Sequence, residues 1–100
     1  MVPEFLQVDP ATLRLPKSRD QGADPVKLHR QIAKFGKDVA EMPPPWVTRD
    51  KNGELQILDG VTRATRVAKL MPGVLLTVLV TAEEPLKDYR RFPSVGERLP

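Results

Sequence analysis

An Asp-Gly pair separates an apolar run from a helical pattern in Leu58-Asp59-Gly60-Val61-Thr62-Arg63-Ala64-Thr65-Arg66-Val67-Ala68-Lys69-Leu70. The order reads as the end of a strand, a tight turn, and a short helix. Asp59 is the expected cap, because a carboxylate accepts hydrogen bonds from the unpaired N–H groups of a first helical turn. Gly60 allows the backbone to bend sharply and a ligand to approach closely. A helix N-terminus so exposed offers free donors and the positive end of the peptide dipoles, which suits an anion.

The helix carries three cations and no acid after its cap. At about 100° per residue, Val61, Ala64, Val67, Ala68 and Met71 share a core-facing stripe. Thr62, Thr65, Arg66 and Lys69 are expected on the opposite, solvated side. Arg63 falls beside Val67 and Leu70, on the flank of the stripe. There its five donors need a carboxylate, a carbonyl or a phosphate. A solvated basic face with one internal ion pair is the plain alternative to a phosphate site.

Strand, Asp-Gly, x-x-Arg, helix resembles the ParB/sulfiredoxin superfamily. Its ParB-type members carry Gly-Glu-Arg-Arg-x-Arg at this turn, and its sulfiredoxins Gly-Cys-His-Arg. Both place their glycine at Gly60 and their shared arginine at Arg63. The surrounding order is also similar over about residues 13–81: an early helix ending in Gly, a Pro-rich approach, a hairpin, this helix, then an apolar strand. The resemblance implies an α+β fold with a small mixed β-sheet and packed helices. It also implies a bound nucleotide, such as a nucleoside triphosphate with Mg2+, and a second polar contact near Arg19.

Position 61 departs from the family. The reactive Cys of sulfiredoxins and the Glu of ParB-type proteins are replaced by Val61, which can neither attack a sulfinyl phosphate nor polarise water. Thr62 stands for Arg or His, and Thr65 for Arg. Phosphate binding is therefore expected without the family's usual catalysis, with Gly60, Thr62, Arg63, Arg66 at the rim, and Arg19 as the ligand-binding residues.

A modest excess of positive charge leaves nucleic acid open as a partner. The formal charge is +3, from 16 Lys and Arg against 13 Asp and Glu, which permits contact with phosphates without demanding it. The nucleic-acid reading, with the nuclease chemistry often ascribed to ParB-like domains, would use Arg66, Lys69, Arg90 and Arg91. A nuclease needs a carboxylate-held metal or an acid/base pair, and Asp59 is the only acid at the turn. A non-catalytic structural or interaction module, with a protein partner, is the third reading.

Other classes drop out. The absence of cysteine excludes disulfides, thiol catalysis and Cys-ligated zinc. A single histidine, His29, makes a His-based metal centre untenable, and its place on the polar side of a helix argues against a general base. No apolar run approaches the ~20 residues that span a bilayer. The first residues lack the basic start and long apolar stretch of a signal peptide, so a cytoplasmic protein is expected.

The remaining elements follow in chain order, as one domain of 100 residues. An extended arm is expected over residues 1–12, a domain over 13–84 and a tail over 85–100. Thr12-Leu13-Arg14-Leu15 alternates like a short first strand. Asp24-Pro25 opens a helix that Gly36 closes, giving helices near 25–35 and 61–70. Pro43-Pro44-Pro45 is extended and delivers Trp46 into a strand, where core or hairpin packing is expected and a base-stacking surface is the alternative. Trp46–Arg49 and Glu54–Leu58 flank Asn52-Gly53, the strongest hairpin signal, suited to a type I′ turn. Val74–Val80, nearly all apolar, reads as a strand covered on both faces.

Overall fold

The computed structural model describes residues 3–100, so that part of the expected arm, Met1 and Val2, lies outside the described residues. It is an α+β fold: a four-stranded mixed sheet with two helices packed against it. Strands β1 (Glu4–Val8), β2 (Trp46–Asp50), β3 (Leu55–Asp59) and β4 (Leu76–Glu84) stand in the order β1-β4-β2-β3. β1 runs antiparallel to β4, β4 parallel to β2, and β2 antiparallel to β3. Helix α2 (Val61–Leu70) returns the chain from the β3 edge to the parallel β4 strand, as a parallel pair requires.

Alternation decides which face is core. Val47, Ile57, Leu76, Val78 and Val80 point inward, onto Ala64, Val67 and Ala68 of α2. Leu79 and Thr77 take the outward positions of β4 and are half-buried, so β4 is central but covered fully on one face only. Val74 and Leu75, counted with this strand from sequence, precede it and are exposed. The parity of β2 also removes the core half of the expectation for Trp46 and leaves it packed in the hairpin. Val47 takes the inward position, completely buried, which turns Trp46 outward at 48% exposure. There it pairs with Leu79 on one side and Asp59 on the other.

Helix α1 (Pro25–Phe35) has the expected ends. The Asp24 carboxylate accepts from the N–H groups of Val26 (2.9 Å) and Lys27 (3.4 Å), and Gly36 closes the helix by donating its N–H to the Ile32 carbonyl. The helix packs beside α2 and contributes one fully buried side chain, Leu28.

The hairpin forms where expected but not with the expected turn. Gly53 has φ +82°, whereas Asn52 stays at negative φ, and a type I′ turn needs both positive. The loop is instead Lys51-Asn52-Gly53, closed by Gly53 N–H to the Asp50 carbonyl (3.2 Å) and Asp50 N–H to the Glu54 carbonyl (2.9 Å). This matches a type I turn followed by glycine in the left-handed region.

Both flanks of the chain belong to the body. The expected arm is edge strand β1, whose Leu6 and Val8 pack on the core. Segment 13–15 alternates as expected, with Leu13 and Leu15 buried, but it is too short for a ladder. Arg14 alone bridges β3 at Gln56 on one side and Ser94 on the other. The expected tail contributes Tyr89 and Val95, at 2% and 1% exposure. Val95 N–H donates to the Leu13 carbonyl (2.9 Å), which carries this segment around the β3 edge. The sequence hid this because isolated apolar residues among charges show no period. No helix among the described residues is long and apolar enough to cross a membrane.

Candidate functional site

β3 ends at Asp59, and Gly60 turns the chain into α2 with φ +108°. Gly60 itself is the N-cap, and no side chain caps the helix. The capping role expected of Asp59 is thus overturned. A residue that ends a strand one step before a left-handed glycine points its carboxylate along the outside of the first turn. That carboxylate accepts from Arg63 Nη2 at 3.3 Å instead. The first-turn N–H groups consequently have neither an intrahelical nor a side-chain partner.

Three elements meet at this turn. The 3-10 turn Lys17–Arg19 supplies Ser18 and Arg19, α1 supplies Lys27 and Gln31, and α2 supplies Thr62 and Arg63. With Asp59 and Gly60 they line a cleft of about 300 Å3. Arg19, Gly60, Thr62 and Arg63, grouped from sequence, are therefore neighbours, whereas Lys27, Ser18 and Gln31 were missed. Nothing local in the sequence marks Lys27, because its place follows from α1 docking beside α2. The cleft is cationic, with Arg19, Lys27 and Arg63 against one carboxylate, Asp59. Its field reaches Asp24, whose carboxyl is held below its ordinary value first by the Val26 and Lys27 N–H groups and then by the charges of Lys27 and Arg19.

Arg66 is not at the rim of this cleft. It is 1% exposed and, with Thr65, buried. The solvated face assigned to these residues is in fact covered, because α2 is packed over a wide arc, from Ala64 through Ala68. Thr65 donates its hydroxyl proton to the Val61 carbonyl (2.7 Å). Arg66 Nη1 donates to the carbonyls of Gly36 (2.8 Å) and Asp38 (2.9 Å), and its guanidinium lies 5.3 Å from the centre of the Phe35 ring.

The cations grouped for nucleic acid do not form one surface. Arg66 is buried, and Lys69 Nζ donates to the Pro100 oxygen (2.8 Å). Arg90 is paired with Asp88 (2.7 Å), and Arg91 lies over Phe92. Arg90 and Arg91 line a separate cleft with Tyr89 and Phe92. Among the described residues no group of three or more His, Asp or Glu side chains is placed to hold a metal ion. His29 is exposed on α1 and lines none of these clefts.

The chain matches no model of a known protein family, no curated protein and no solved structure.

Proposed function

We propose that this domain binds a nucleotide or another phosphate-bearing ligand at the turn from β3 into α2, without the catalysis of the ParB/sulfiredoxin proteins that it resembles. The observation carrying this reading is the convergence of Arg19, Lys27 and Arg63, from three separate elements, on an uncapped helix N-terminus. A phosphate in the cleft accepts from the first-turn N–H groups and from the Thr62 hydroxyl, while Arg63 offers a two-pronged contact. Gly60, having no side chain, lets the Arg63 guanidinium lie close against the turn.

A nucleoside triphosphate fits this residue set at its phosphate end. Asp59 is the single carboxylate of the cleft, so it is the residue that would hold Mg2+ there, and the ion would supply neutralisation of phosphate charge. Val61 supplies neither nucleophile nor base. What the residues do is bind and orient.

Titration of the protein with the common nucleoside triphosphates and with inorganic phosphate, followed by residue-resolved NMR, tests the reading. Shifts are expected at Gly60–Arg63 and Arg19, and in Arg63→Ala they should need clearly higher ligand concentrations. A response confined to Arg90 and Arg91 with oligonucleotides would replace this reading with nucleic-acid binding. No response to either would leave an interaction module.

A further inference from the structure

Three buried side-chain atoms among the described residues lack a hydrogen-bond partner: Gln31 Oε1, Arg63 Nε and Arg66 Nε. All three residues line a second cavity, of about 670 Å3, between α1, α2 and the connection that follows Gly36. Phe35, Met42 and Pro43 supply its apolar wall. Orphaned buried polar atoms are rare and call for a cause. Here they gather in one place.

Arg66 makes the case sharper. It is a buried cation with no carboxylate within ion-pair reach among the described residues. Nη1 is satisfied by two carbonyls, but Nη2 meets only the Met42 sulfur (3.1 Å), a weak acceptor. The Asp38 carboxylate is turned into its own loop, accepting the Ala40 N–H (2.9 Å). Burial lowers the Arg66 pKa, and the distant charge of Asp38 opposes this only in part. An uncompensated buried charge is unfavourable, and a bound anion relieves it.

We infer that this cavity binds a small monocarboxylate with an apolar or aromatic body, its carboxylate on Arg66 and Arg63 and its body against Phe35, Met42 and Pro43. The volume suits such a molecule. A monoanion is favoured over a phosphate dianion because Asp38 and Glu41 also line the cavity and repel a second negative charge. A purely structural clamp of Arg66 on two carbonyls would leave no reason for the open apolar wall beside it. Gln31 and Arg63 form the partition shared with the phosphate cleft, but the inference does not depend on phosphate being bound there.

The test compares 4-phenylbutyrate with 4-phenylbutanol, titrated into the full chain and followed by NMR. The acid should shift Gln31, Phe35, the Met42 methyl and the Arg66 Nε proton, and the alcohol should bind about ten-fold more weakly or worse. Arg66→Met also removes the contacts holding residues 36–42, so Phe35→Ala, at a part-exposed position, is the second variant. It should weaken the acid about ten-fold with the fold intact. Arg19→Ala, which lines the phosphate cleft but not this cavity, should leave acid binding unchanged, so the two sites fail separately. Equal binding of acid and alcohol, shifts centred on Trp46 of the outer sheet face, or no binding of the acid at millimolar concentration would overturn the inference.

Discussion

The Arg63 guanidinium lies over the α-carbon of Gly60, so close that a β-carbon at position 60 would stand 2.7 Å from its Nη2. The same β-carbon would stand 2.9 Å from the Pro45 Cβ, which has nowhere to go. Gly60→Ala therefore meets both the strain of φ +108° and a contact that the proline cannot relieve. It should destabilise the fold by about 2–4 kcal/mol, read from urea denaturation.

Arg63→Ala should behave differently. Its partner Asp59 keeps 67% of its side chain exposed, so removing the arginine leaves no stranded buried charge. The change in stability should stay within about 1 kcal/mol. Phosphate or nucleotide affinity should instead fall by the equivalent of about 1.5–3 kcal/mol, with Lys recovering only part of it. Calorimetric titration of the wild type and both variants separates the two effects.

Gly53 provides the contrast with Gly60. It too has positive φ, but nothing lies within 4 Å of an added β-carbon. Gly53→Val should cost about 1–3 kcal/mol through backbone strain alone, and Gly53→Asn clearly less, because Asn tolerates the left-handed region. Equal thermal midpoints for glycine and valine would remove the hairpin loop from this account.

Arg66→Ala removes two hydrogen bonds to carbonyls and a large buried side chain. It should cost about 3–5 kcal/mol. Arg66→Lys should rescue little, since one ammonium cannot reproduce the planar fork. Chemical denaturation at neutral pH measures both.

Asp50 sets a dependence on acid. Burial pushes its carboxyl up, but the N–H groups of Tyr89 (2.6 Å), Asn52 (2.8 Å) and Glu54 (2.9 Å) more than reverse this, leaving the pKa below its ordinary 3.8. A depressed folded-state pKa stabilises above the unfolded value and loses that contribution as pH falls through the folded value. Stability should thus hold near neutrality and decline progressively below about pH 4. Asp50→Asn should flatten part of that decline and cost about 1–3 kcal/mol at pH 7. An unchanged acid profile in the variant would show that Asp50 is not its source.

Much of the architecture was legible because it is written locally. Asp24-Pro25 and Gly36 bound α1, Asn52-Gly53 marks the hairpin, and Asp59-Gly60 marks the entry into α2. Each works through one or two residues whose backbone preferences do not depend on distant partners. The grouping of Arg19 with Gly60, Thr62 and Arg63 came from a family resemblance rather than from any local signal.

What failed in the reading failed where a long-range neighbour decides. Helical periodicity placed Arg66 on a solvated face. α1 and the connection after Gly36 cover that face, and backbone carbonyls 28 and 30 residues away receive its protons. Core and hairpin packing are both open to Trp46 from sequence, and the register of β2 against β4 assigns the core side to Val47. Tyr89 and Val95 looked like a tail until the chain closed around the β3 edge.

By itself, then, the sequence determined the kinds of elements, their ends and the glycine turn into α2, because these depend on dihedral preferences and hydrogen bonds within a few residues. The tertiary structure alone decided that Asp59 pairs with Arg63 rather than capping, that Lys27 joins the cleft, and that Arg66 is buried beside a cavity. Those outcomes depend on which surfaces meet when α1, α2 and the sheet pack, and packing is settled by contacts between residues far apart in the chain.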